Sequence, residues 1–287
     1  MQTLRAACLL TVFLLATLLL IPWQESAVRF RLARRKSFPN RYHRFLCRLF
    51  GIRVTVLGRP VESEGVLMAA NHTSYFDILV LSAAARVSFV AKREVAKWPL
   101  FGTLARLQET VFIERDRRSQ TIEARDLIRN RLMDGDALIL FPEGTSDDGN
   151  MVRPFKSSLL GAAETVLGRD VQGCPRHVPV QPVSISYTGH FGLPMGRDMR
   201  PLFAWYGDMD LVPHLWEALK FGPFEAVVEF HPPLDVDGLG GRKALAEAAE
   251  AIVRRGQSRA LAGLPSLSQT LPAQRRSARR ATVEMAA

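Results

Sequence analysis

Cysteine is scarce in this chain. Three of its 287 residues are cysteines, Cys8, Cys47 and Cys174, and they lie far apart. They can build neither a disulfide scaffold nor a Cys-x-x-Cys metal site, and so few of them suit a reducing compartment. Several motifs are missing too: a Gly-x-Ser-x-Gly elbow, a Walker loop, a Gly-x-Gly-x-x-Gly turn after a strand, and a His-Glu-x-x-His pair. Their absence removes the mechanisms those motifs serve. Beyond His72, the five other histidines, His43, His177, His190, His214 and His231, are scattered, so no zinc site is expected. Acid is lacking from one segment. Residues 29–48 hold eight basic side chains (Arg29, Arg31, Arg34, Arg35, Lys36, Arg41, Arg44 and Arg48) and no carboxylate. The last seventeen residues add four arginines against Glu284. The formal charge of +10 therefore sits in the flanks, and the body between them is near neutral. Nucleic-acid-binding domains usually carry their charge on the folded face, so no nucleic-acid partner is expected. The larger basic block follows a hydrophobic stretch, which points to an anionic membrane surface.

That stretch runs from Ala6 to Gln24, nineteen residues without a charge. At about 1.5 Å per helical residue it is just long enough to cross a bilayer core. A cleaved signal would place Glu25 three residues before its cut site, and the basic block downstream opposes export. A span with the body in the cytoplasm fits the positive-inside rule, and a monotopic anchor fits equally well. Residues 41–53 alternate Arg41, Arg44 and Arg48 with Phe45, Leu46, Leu49 and Phe50, the pattern of a basic amphipathic helix suited to a membrane surface.

Beyond this, strands expected at 53–57, 65–70, 87–91, 110–114, 137–141, 178–186 and 225–230 alternate with helices near 75–85, 98–108, 119–134, 157–168, 211–220 and 242–260. The alternation predicts an α/β domain, a mixed sheet covered by helices. The expected organisation is an anchoring segment at 1–28, a basic membrane-surface segment at 29–52, the catalytic domain at 53–262 and a disordered basic tail at 263–287.

Three polar clusters follow apolar strands, where open α/β sheets place their ligands. The first is Asn71-His72-Thr73-Ser74-Tyr75-Phe76-Asp77. With His72 in the turn and Asp77 in the first helical turn, the carboxylate can reach one imidazole nitrogen and make the other a better general base. A capped helix with an incidental histidine is the plainer alternative. The second is Phe141-Pro142-Glu143-Gly144-Thr145-Ser146, whose glycine allows close backbone approach to an oxyanion or phosphate. The third is Phe112 to Arg118, where a guanidinium such as Arg115 could hold an anionic head group. Arg117 and Arg118 read as a solvated run.

Taken in order, these clusters resemble the motif blocks of the glycerolipid acyltransferase family, which includes lysophosphatidic acid acyltransferases. His72 and Asp77 match its His-x4-Asp block, Phe112 to Arg115 its second, Phe141 to Thr145 its Phe-Pro-Glu-Gly-Thr block, and Val178 to Val183 its fourth. The resemblance implies that fold, and acyl transfer from a thioester of acyl carrier protein or coenzyme A to a lysolipid hydroxyl. No metal and no further cofactor are implied. His72 would be the base and Asp77 its orienting acid. Arg115, Glu143, Gly144 and Thr145 would hold the acceptor or the oxyanion, with Asn71, Lys92, Ser146, Asp147 and Lys156 as further head-group contacts. One departure bears on the acceptor. Where lysophosphatidate enzymes usually have arginine after the third block, this chain has Ser146, then Asp147 and Asp148. That run is similar to the bacterial lyso-ornithine lipid branch, whose acceptor carries an ammonium. Lyso-ornithine lipid is the expected acceptor and lysophosphatidate the alternative. The intact His72 and Asp77 argue against a non-catalytic lipid-binding protein.

Overall fold

The computed structural model describes residues 1–62, 65–113, 118–169 and 172–266; between 118 and 125 it describes the backbone only. Two N-terminal helices, α1 (Gln2–Arg29) and α2 (Arg34–Phe50), precede the sheet. The elements that follow are β1 (Arg53–Gly58), β2 (Val66–Ala70), α3 (Phe76–Ala84), β3 (Ser88–Lys92), α4 (Phe101–Leu107), β4 (Val111–Ile113), α5 (Arg118–Met133) and β5 (Ala137–Leu140). Then come β6 (Val166–Arg169), β7 (Pro175–His177), β8 (Val180–His190), β9 (Leu193–Pro194), α6 (Leu211–Phe221), β10 (Phe224–Phe230) and α7 (Arg242–Leu261).

The main sheet has eight strands, in the order β1-β10-β8-β2-β5-β3-β4 with β9 paired to β8. Strands β8, β2, β5, β3 and β4 run parallel, and β10 turns back against β8. The expected mixed α/β architecture is therefore present. Every residue of β2 is buried, as a central strand covered on both faces requires. One core lies under α1, α2, α3 and α6 and includes Phe13, Leu46, Phe50, Phe76 and Leu215. The other lies under α5 and α7 and includes Leu132, Leu160, Leu245 and Val253.

Three details differ from the sequence expectation. Residues 157–164 form a 3-10 turn rather than a longer helix, because the apolar run breaks into β6 at Val166. The short pair β6–β7 and strand β9 are too brief for periodicity to reveal. In α2, the apolar face meets protein: Tyr42, His43, Leu46, Cys47 and Phe50 are buried, and Arg41, Arg44 and Arg48 face outward.

Helix α1 is long and apolar enough to cross a membrane, by length and composition. One stripe of it nevertheless rests on the body: Ala6, Phe13, Thr17, Gln24 and Ala27 are buried. Near its start, Arg5 donates to the Leu219 carbonyl of α6 at 2.8 Å. Near its end, Gln24 donates to the Arg35 and Leu107 carbonyls, both at 2.9 Å. Its other face, with Leu4, Val12, Leu15, Leu18, Leu19 and Trp23, is exposed.

Candidate active site

Because β2 and β5 are parallel neighbours, the loops after them leave the same edge of the sheet side by side. The first loop carries His72 and opens α3 with Asp77. His72 Nδ1 lies 2.8 Å from Asp77 Oδ2, the contact expected from their spacing. That oxygen also accepts the Thr73 N–H at 2.7 Å and the Ser74 N–H at 3.0 Å. The other carboxylate oxygen accepts the Tyr187 hydroxyl at 2.6 Å. Asp77 is fully buried, and four donors satisfy its two oxygens. Asp77 Oδ2 accepts from two backbone N–H groups beside the ring, so the hydrogen of this contact is assigned to His72 Nδ1, with Nε2 turned away from Asp77. Among the described residues Nε2 has no protein partner. The His72 ring stacks on Phe141, with centroids 4.0 Å apart and planes 16° apart.

Tyr187 lies 110 residues from Asp77 and was not singled out by sequence reading. Its only local signal is a hydroxyl-bearing aromatic at the end of an apolar strand. Burial and the Asp77 charge hold its phenol well above the usual range, so it stays a donor.

The second loop is tied to the first by Glu143. One carboxylate oxygen accepts the His72 N–H at 2.8 Å and the other the Arg153 N–H at 3.0 Å. Burial pushes this carboxyl up to about 8; the two amide donors oppose the rise, and the Asp77 and Asp147 charges add to it. One further bond fastens the loops, Asp147 N–H to the His72 carbonyl at 3.1 Å, and the Trp205 N–H, from the segment before α6, holds the first loop at the Thr73 carbonyl at 3.0 Å. Gly144, at φ 78°, makes the left-handed turn that lets the chain double back here.

Several residues expected at the head group have other work. Asn71 is buried and clamps β8, giving its amide to the Ile185 carbonyl and accepting the Ile185 N–H. Ser146 is buried and donates to the Trp205 carbonyl. Glu143 has both oxygens occupied as described. Asp147 is paired with Arg153 at 2.6 Å, and Asp148 accepts from the side chain and backbone of Asn150. The carboxylates of the acidic run thus also bond within their own loop. Lys92, Thr145 and Lys156 are exposed at the same edge, on or after β3 and β5. Arg115 and Arg117 lie outside the described residues. Among the described residues no cluster of three or more His, Cys, Asp or Glu side chains could hold a metal.

Comparison with known proteins decides the family. The acyltransferase family model matches residues 52–186. A lyso-ornithine lipid O-acyltransferase of Brucella abortus is 43% identical over 261 residues, 91% of this chain and 97% of that one. The chain belongs to the acyltransferase family. A lyso-ornithine lipid O-acyltransferase of Rhizobium meliloti is 44% identical over 83% of this chain and 81% of its own length. Among solved structures, the 1-acyl-sn-glycerophosphate acyltransferase of Thermotoga maritima superposes with a TM-score of 0.61 at 26% identity, covering 89% of this chain and 96% of that one. The matched family segment contains the His72–Asp77 pair, Glu143 and Tyr187's strand up to Ser186, so the described geometry belongs to an acyltransferase enzyme.

Proposed function

We propose that this acyltransferase moves a fatty acyl group from a carrier thioester to the hydroxyl of lyso-ornithine lipid, with His72 as general base. The His72–Asp77 contact supports the chemistry. Nε2 takes the hydroxyl proton as the oxygen attacks the thioester carbonyl. The tetrahedral oxyanion then collapses, the C–S bond breaks, and the thiolate leaves with the proton from His72. A positioned base is typically worth ~10²–10⁴ in rate. The thioester is already activated, so this route requires no covalent enzyme intermediate. Asp77, held by four donors, orients the ring and stabilises its charged form. Phe141 keeps the ring in plane, and Glu143 sets the height of the His72 backbone. Arg115, Lys92, Thr145 and Lys156 are proposed to meet the head group or the oxyanion.

An apolar cavity of about 170 Å³ begins at Tyr75 and Phe76, beside Asp77, and continues between Leu79, Phe89, Val95 and Trp98. It suits the acyl chain that leaves the donor. The relatives support the acceptor, since three named for lyso-ornithine lipid stand at 43–44% identity and a fourth at 35%, while a 1-acyl-sn-glycerol-3-phosphate acyltransferase stands at 30% and the one of known structure at 26%. The anchor α1 touches the body at both ends, through Arg5 and Gln24. We read it as lying in one leaflet, the cytoplasmic one, with the basic face of α2 toward anionic lipid. The decisive assay gives the purified enzyme lyso-ornithine lipid and lysophosphatidate side by side, each with acyl carrier protein and coenzyme A thioesters. Lyso-ornithine lipid should be the better acceptor; a clear preference for lysophosphatidate rejects the assignment.

A further inference from the structure

The β8–β9 connection is a two-residue hairpin, since His190 pairs with Leu193. Its central residues, Phe191 and Gly192, both have positive φ, 51° and 80°. That is the tight turn in which Asn-Gly is the favoured pair and a phenylalanine is strained. The strained side chain is not buried in return. Phe191 is 66% exposed and Leu193, beside it, 71%. Two large apolar residues in water at a strained tip need an outside partner.

The surroundings indicate which partner. A Cβ built on Gly222, just after α6, would stand 2.7 Å from the Phe191 ring and 3.6 Å from Arg5 Nη1. The tip therefore sits at the N-terminal end of α1, whose outward face is apolar, and beside the exposed Phe221 of α6. The rim holds Arg5, which donates to the Leu219 carbonyl, and the exposed Arg53, which pairs with Glu225 at 3.0 Å. Strand β8 also leaves from the catalytic edge. Its Val183 pairs with Ala70, the residue before the His72 loop, and it runs on seven residues to His190.

We infer that Phe191 and Leu193 enter the bilayer beside α1, as a second membrane contact that sets the tilt of the catalytic edge. This rests on the proposed membrane anchoring of α1. One helix allows the body to roll about its axis; a second contact off that axis stops the roll and holds the His72 loop toward the lipid surface.

Depth measurement by spin labelling tests both parts separately. In full-length protein with Cys8→Ser and Cys174→Ser, labels are placed singly at Leu15→Cys on α1, Leu193→Cys on the tip and Leu239→Cys before α7. Cys47 is buried and stays unlabelled. In phosphatidylcholine–phosphatidylglycerol vesicles, labels at 15 and 193 should favour oxygen over a water-soluble nickel chelate, and 239 the reverse. If 193 behaves like 239 while 15 remains in lipid, the tip contact is refuted and the anchor stands. If both 15 and 193 behave like 239, the anchor fails with it. A second arm guards against misfolding. Phe191→Asn with Leu193→Ser suits the turn better, so thermal stability should hold or rise. Turnover on vesicle-borne acceptor should drop roughly tenfold, with turnover on a short-chain soluble acceptor unchanged. Equal effects on both acceptors, or none on either, refute the proposal.

Discussion

At the scale of single residues, the site is an arrangement of acceptors and donors around two carboxylates. Asp77 faces only donors, which makes it a fixed partner for the His72 ring. Replacing His72 with alanine should lower turnover by ~10²–10⁴ with thermal stability nearly unchanged, read from initial rates on detergent-solubilised enzyme. Glu143 is the opposite case. Its folded carboxyl is raised to about 8, so folding favours its protonated form. The stability it contributes is fully present below its unfolded value near 4.5 and is lost as pH rises through about 8. The melting temperature of the wild type should therefore fall between about pH 4.5 and 8 more steeply than that of Glu143→Gln. Parallel melting curves would contradict this. The substituted amide also turns an N–H toward a backbone N–H, which at pH 6 should cost about 1–3 kcal/mol.

At the scale of elements, helix α3 and strand β8 hold the His72–Asp77 pair, the proposed catalytic one. The C-terminal end of α3 leaves carbonyls without helical partners. Asn40 of α2 supplies them, donating to Ser82 at 2.6 Å and Ala83 at 3.2 Å, and Arg44 adds a bond to Ala83 at 2.9 Å. Asn40→Ala should destabilise the protein by about 1–3 kcal/mol, seen as a lower melting temperature in detergent, and weaken activity because Asp77 rides on α3. Seven strands were legible in the chain because each is a short apolar run bounded by turn residues. The His72–Asp77 contact was legible because it is local, five residues apart. Tyr187 and the clamp from Asn71 to Ile185 were not, since nothing in a single strand's composition states which strand it pairs with. For the same reason the pairing of Asp147 with Arg153 was not legible in the sequence.

At the scale of the whole molecule, α1, the proposed anchor, is also part of the core. Its buried stripe covers Leu46, Phe50 and neighbouring apolar residues, so removing residues 1–28 exposes that surface. The truncated protein should aggregate or need detergent rather than become freely soluble, and the full chain should stay with membranes through a high-salt wash. Fractionation with light scattering on the truncated form checks both. A monodisperse soluble truncation would mean that α1 is a detachable tether. The tail from residue 267 lies outside the described residues; Ser266 before it is buried and donates to Glu229.

The chain alone determined what depends on neighbours in sequence: the order of strands and helices, an uncharged run long enough for an anchor, basic flanks, and a histidine within reach of an acid. Such features follow from local periodicity and spacing. The tertiary structure decided everything that depends on partners far along the chain. It put Tyr187 behind Asp77, spent Asn71, Ser146 and Asp147 on internal bonds, and laid one face of α1 against the body. Burial and pairing are properties of two surfaces meeting, and a one-dimensional pattern names only one of them.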